Sequence, residues 1–99
     1  MMQDQAPSLL LVDDDETFRT VLARVLQRRG FSVQQAASEA EALTQAAVES
    51  PEFAVVDLKL GNDSGLAVVK ALHELDGTTR IVVLTGYASI ATAIEAIKL

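Results

Sequence analysis

Three apolar runs in this chain each stop at residues that could hold a metal ion or a phosphoryl group. Ser8–Val12 runs into Asp13, Asp14 and Asp15, Phe53–Val56 into Asp57, and Ile81–Leu84 into Thr85. In an open parallel sheet, ligands bind beyond the carboxyl ends of the strands. If the three runs lie side by side, their terminal carboxylates and a hydroxyl converge on one spot. Two unit charges about 4 Å apart repel by about 4 kcal/mol at an effective dielectric of 20, so fold stability alone does not favour such a cluster. A hard cation removes that penalty, and Mg²⁺ is suited to one or two carboxylates, water and phosphate oxygen. Asp57 is the candidate nucleophile, because it ends a central strand and leads into a loop. Its attack on a phosphoryl group would give an aspartyl phosphate, with Thr85 and the backbone N–H groups after Asp57 donating to phosphoryl oxygens.

Each of these residues also has a plain structural role. The aspartate triplet can cap a helix and complement its dipole, Asp57 can be a turn residue, and Thr85 an ordinary β-branched strand residue. One aspartate suffices for a cap, which assigns that part to Asp15 and leaves two acids over. The coincidence of all three positions at strand ends favours chemistry. The single histidine, His73, sits at a polar helix position, Arg28-Arg29 read as a solvated helix end, and Asp63 as a turn former.

The elements that must position these residues alternate in period. The first run is continuously apolar, as in a strand buried on both faces. Asp14 or Asp15 can cap the helix that follows, in which Phe18, Val21, Leu22, Val25 and Leu26 recur at helical spacing and Gly30 is the stop. Phe31–Ala36 reads as a second strand. Ser38-Glu39-Ala40-Glu41 matches a capping box, opening an alanine-rich helix to about Glu49 that Ser50-Pro51 breaks. Phe53–Asp57 is the third strand, and the turn-rich stretch Gly61–Gly65 reads as a loop. Leu66, Val69, Leu72 and Leu75 stripe a third helix ended by Asp76-Gly77. Arg80–Thr85 is the fourth strand, and Ile90, Ala93, Ile94 and Ile97 line a last helix. This βα alternation predicts a parallel sheet with helices on both faces and right-handed crossovers.

The chain has 99 residues, enough for one domain; 49% are hydrophobic, which excludes disorder. Its net charge of −6 argues against a nucleic-acid surface on this segment. With no cysteine, thiol chemistry and disulfides are excluded. No apolar run reaches the roughly 18–20 residues of a membrane helix, and no signal peptide opens the chain. The expectation is a flexible lead over residues 1–7, one domain over 8–99, no membrane partner and a cytoplasmic location.

At the residues that carry this chemistry the chain resembles the receiver domain of two-component response regulators, over essentially all of residues 8–99. Leu10–Asp15 resembles the acidic opening motif, Val55–Leu58 the phosphoacceptor strand, Gly65 the glycine opening the third helix, and Val83–Gly86 the threonine motif. The resemblance implies a flavodoxin-like three-layer α/β fold with a parallel sheet in the order 2-1-3-4. It implies that Asp13 and Asp14 hold Mg²⁺, Asp14 most directly, with Asp57 and the backbone carbonyl of Lys59 completing the site. It implies that Asp57 accepts phosphate from a sensor histidine kinase, that Thr85 swings towards the phosphoryl group, and that Lys59 and Tyr87 tune hydrolysis. Such a domain is a phosphoacceptor with at most autophosphatase activity, and it switches an output, usually transcriptional, domain. Thr85–Tyr87 with Ile90–Ala93 resembles more narrowly the redox-responsive RegA/PrrA/RoxR-type regulators, which bind DNA through a C-terminal segment absent from this chain.

A receiver also has a fifth strand and helix, and that strand carries a lysine that pairs with the phosphate. The chain ends at Lys98-Leu99 before either, so the expectation is a truncated receiver with slow phosphorylation and an exposed apolar edge at Ile81–Leu84 that favours homodimers or edge-mediated association. Two other functions fit the residues less well. An aspartate-dependent phosphatase places a second acid two residues after its nucleophile, where Lys59 stands here. A protein-binding module that is never phosphorylated is disfavoured by intact Asp14, Asp57 and Thr85 and is left open by the missing fifth strand.

Overall fold

The computed structural model describes residues 6–60 and 63–84. Its elements are β1 (Ser8–Val12), α1 (Glu16–Arg28), β2 (Ser32–Ala36), α2 (Glu39–Val48), β3 (Phe53–Asp57), β4 (Lys59–Leu60), β5 (Asp63–Ser64), α3 (Gly65–Leu75) and β6 (Arg80–Leu84). Four strands form one parallel sheet in the order β2-β1-β3-β6, the expected 2-1-3-4 order with β6 as the fourth principal strand. The last helix, Thr85 and the residues 1–5 of the lead lie outside the described residues.

The period-2 alternation of β1 divides the interior in two. Leu9 and Leu11 pack with Leu22, Ala23 and Leu26 of α1 on one face. Leu10 and Val12 pack with Ala42 and Ala46 of α2 and Val68 and Leu72 of α3 on the other. A strand covered on both faces must be apolar at every position, and Leu9–Val12 are all buried. At the amino ends of the strands, Phe31 and Phe53 meet edge to face at 5.5 Å, with the Arg80 guanidinium 5.8 Å from the Phe53 ring.

The helix ends follow their sequence signals. Asp15 is the N-cap of α1, its carboxylate accepting from Phe18 N at 3.0 Å. Ser38 caps α2 by accepting from Glu41 N at 3.2 Å, and the Glu41 carboxylate reaches back to Ala37 N at 2.9 Å. Gly30 follows α1 at φ +101°, backbone that an L side chain resists.

Three expectations need correction. The apolar stripe of α3 is rotated: Val68 and Leu72 are buried, whereas Leu66 and Leu75 are 62% and 52% exposed. The helix is apolar over most of its circumference, so periodicity alone did not fix its inner face. Phe31 precedes β2, its N–H bonded to Leu26 O at the helix end. The turn-rich stretch after Asp57 is not wholly loop: Lys59 pairs with Ser64 and Leu60 with Asp63 in a small antiparallel ladder. Leu60, 2% exposed, anchors this ladder in the α2–α3 side of the core.

Candidate functional site

Parallel pairing sets the site. Val12 lies opposite both Ala36 and Val56, so β1 and β3 end at the same level. The next residue along β1 is Asp13 and the last of β3 is Asp57. Oxygens of Asp13, Asp14 and Asp57 all lie within 4.8 Å of one another, close enough to share one cation. Asp57 is opposite Leu84, whose carbonyl accepts from Leu58 N at 2.9 Å. The chain then continues to Thr85, which with Tyr87 lies outside the described residues.

The acids are held individually. Asp13 N donates to Ala36 O at 3.1 Å, and Asp13 Oδ1 accepts from Asp15 N at 2.9 Å. One oxygen of Asp57 accepts from Lys59 N at 3.2 Å, so the first turn of β4 orients the carboxylate while the Lys59 side chain is exposed. Gly65 makes the close approach behind Asp57: its N–H bonds Leu58 O at 3.0 Å, and a Cβ built on it would collide with the Asp57 carbonyl and lie 2.6 Å from Leu58 Cα.

Electrostatically the site is under-compensated. Burial, with Asp57, Asp14 and Asp15 nearby, pushes the Asp13 carboxyl up to about 6 against an ordinary 3.8, despite the N–H of Asp15. Asp13 itself is only 4% exposed. Burial likewise raises Asp57, opposed by the N–H of Lys59 and a hydrogen bond with Asp13, and reinforced by the charge of Asp14. A divalent cation is what this donor set fits: three hard carboxylates, two of them disfavoured as anions by their surroundings.

A pH dependence follows. Asp13 binds its proton more tightly folded than unfolded, so the metal-free protein gains stability as pH falls from 7 through about 6 towards 4. The gain is on the order of 2 kcal/mol, and Asp57 acts in the same direction. Below the ordinary 3.8 the sign reverses through Asp76, which hydrogen bonds from Ser50 and Thr78 hold down at about 2. Urea unfolding in EDTA should give a higher midpoint at pH 5 than at pH 7; a lower one contradicts the site electrostatics.

Asp15, by contrast, faces its helix. Asp15→Ala should lower stability by about 1 kcal/mol, the worth of an N-cap, and leave divalent-cation affinity within an order of magnitude. Loss of cation binding in a folded Asp15→Ala protein would return Asp15 to the ligand set.

A parallel sheet between α1 and the α2–α3 pair, with three acids at the carboxyl ends of adjacent strands, defines a receiver-type domain. The chain belongs to the response regulator receiver domain family, whose profile matches residues 9–99. It is 51% identical over 92 residues to the photosynthetic apparatus regulatory protein RegA of Cereibacter sphaeroides, covering 93% of this chain and 50% of that protein. It is 50% identical to the acid tolerance regulatory protein ActR of Sinorhizobium medicae, covering 93% of this chain and 47% of that protein. The chain thus spans about half the length of the curated relatives it matches. Among solved structures, a response regulator from Burkholderia pseudomallei with a phosphorylated aspartic acid, calcium ion and citrate superposes with a TM-score of 0.79. It is 53% identical, over 93% of this chain and 54% of that one. A CheY-like receiver domain from Methanospirillum hungatei superposes at 0.80 with 26% identity, over 95% and 75% of the two chains.

Sequence reasoning reached Asp13, Asp14 and Asp57 and the geometry brings them together. It did not reach Arg19, whose guanidinium donates to the Asp13 carbonyl at 2.7 Å. An arginine at helical spacing reads as one more solvated charge, and only the fold turns it back towards β1.

Proposed function

We propose that this domain accepts a phosphoryl group on Asp57 from a phosphohistidine of a sensor kinase, and that the modification switches an output domain. The observation that carries the reading is the shared reach of Asp13, Asp14 and Asp57, with Asp57 oriented from behind by Lys59 N–H. The phosphorylated aspartic acid and calcium ion in the Burkholderia relative support it.

Asp13 and Asp14, with the Asp57 carboxylate and the Lys59 carbonyl, would hold Mg²⁺. When bound, the cation supplies positive charge against the phosphoryl oxygens and screens the three acids. An Asp57 oxygen forms the new P–O bond as the P–N bond to the donor imidazole breaks, and the imidazole keeps the electron pair and takes a proton. The Lys59 N–H fixes which oxygen of Asp57 faces the donor. Thr85 would donate to a phosphoryl oxygen in the product, and Lys59 and Tyr87 would tune the hydrolysis that returns Asp57 to the free acid.

Phosphorylation adds about −1.5 to −2 charges, which biases the Thr85 loop and the helix after it. RegA and ActR are regulatory proteins by name; by that likeness the output would be transcriptional and the setting cytoplasmic, and the exposed apolar edge Ile81–Leu84 would favour self-association. Receiver domains are phosphoacceptors and generally not enzymes; this one would have at most autophosphatase activity. Incubation with acetyl phosphate and Mg²⁺ should add the mass of one phosphoryl group, and EDTA should prevent it. Equal labelling in EDTA would overturn the metal-assisted reading.

A further inference from the structure

We infer that Arg19 is a positioning residue for the cation site, acting through the backbone of Asp13 rather than on the phosphoryl group. This rests on the proposed Mg²⁺-dependent phosphoacceptor reading and deepens it. Arg19 lies on the second turn of α1 and is half-buried. One guanidinium nitrogen donates to the Asp13 carbonyl at 2.7 Å, and Nε donates to Gln35 Oε1 at 3.0 Å. Gln35 is itself tied to α2, its carbonyl accepting from Gln45 Nε2 at 2.8 Å. The relay therefore runs from α2 across the edge strand β2 to α1, and ends on the peptide that carries the most buried acid of the site.

The geometry fixes what this does. Asp13 is gripped at its N–H by Ala36, at its carboxylate by Asp15 N–H and at its carbonyl by Arg19. The carbonyl grip comes from a side chain of another element, α1, and it sets the direction in which the chain leaves β1 towards Asp14. A charged donor to a carbonyl is among the stronger hydrogen bonds. Residues that orient metal ligands from behind are commonly worth tenfold or more in metal affinity.

Charge and position make opposite predictions, which makes the role testable. Arg19 brings a positive charge next to Asp13, so if it acted by charge alone its removal would tighten cation binding. If it positions, removal loosens binding. MgCl₂ titration followed by the amide resonances of Asp14 and Asp57 should show Arg19→Met binding about tenfold more weakly than the parent. Arg19→Lys should recover part of the loss, since its ammonium keeps a donor for the carbonyl but not the fork that also engages Gln35. Melting temperatures in EDTA should stay close to the parent's. Arg19→Met binding Mg²⁺ as tightly as the parent or more so, Arg19→Lys no better than Arg19→Met, or a metal-free Arg19→Met protein that melts far below the parent would each overturn the positioning role. A parent chain whose Asp14 and Asp57 resonances do not respond to Mg²⁺ would instead overturn the phosphoacceptor reading on which the role depends.

Discussion

Asp57→Asn should abolish labelling by acetyl phosphate while leaving a folded and more stable domain. The amide keeps an oxygen where Asp57 accepts from Lys59 N, so the loop after β3 has no reason to move. It cannot attack phosphorus, because an amide oxygen has no anionic lone pair to offer. It also removes one of three acids that lie within 4.8 Å of each other, and the one removed is disfavoured as an anion by its burial. The metal-free variant should therefore gain roughly 1 kcal/mol, seen as a raised urea midpoint in EDTA, and respond more weakly to Mg²⁺. Asp14→Asn should reduce labelling by weakening the cation site and keep a trace of it. Strong labelling of Asp57→Asn, or a loss of stability, would contradict the account.

Gly65→Ala should cost more than any surface change in the molecule. The position is not conformationally special: among the described glycines only Gly30 has a positive φ. What Gly65 lacks is space. A β-carbon there would overlap the Asp57 carbonyl, with Leu58 Cα at 2.6 Å and the Asp57 carbonyl carbon at 2.9 Å. All three are backbone, so no rotamer can relieve the contact, and α3 must back away from β3. That move strains the Gly65 N–Leu58 O bond of 3.0 Å and the packing of Val68 and Leu72. A cost of about 3 kcal/mol or more is expected, lowering the melting temperature by more than about 12 °C in a domain of this size. Because the displaced atoms belong to the peptide of Asp57, the proposed phosphoacceptor, labelling should fall even where the variant folds. A melting temperature within a few degrees of the parent, with unchanged labelling, would show that the close approach is not required. Gly30→Ala provides the contrast, since nothing lies within 4 Å of its added carbon and only backbone strain at φ +101° remains.

Much of the architecture was legible because the signals were local. A continuous apolar run marks a strand covered on both faces, and Leu9–Val12 are covered on both. Asp15 and Ser38 name their helix starts, and β3 has the bounds its sequence suggests. The convergence of Asp13, Asp14 and Asp57 follows once the strands are parallel and in register. What was not legible depends on contacts made across the fold. The inner face of α3 is chosen by Ala42, Ala46 and Leu60, not by its own pattern of leucines. The β4–β5 ladder is anchored by Leu60, which is buried directly after the exposed Lys59. Arg19 gains its meaning only from the Asp13 carbonyl that α1 folds back towards.

The central claim is that Asp57, and no other acid of the cluster, forms the bond to phosphorus. It is tested most directly by reducing the acetyl-phosphate-treated protein with borohydride, which converts an acyl phosphate to an alcohol, and sequencing the peptides by mass spectrometry. The account predicts homoserine at position 57 alone, absent when Mg²⁺ is withheld. Homoserine at position 13 or 14, or at a site outside the cluster, would contradict it.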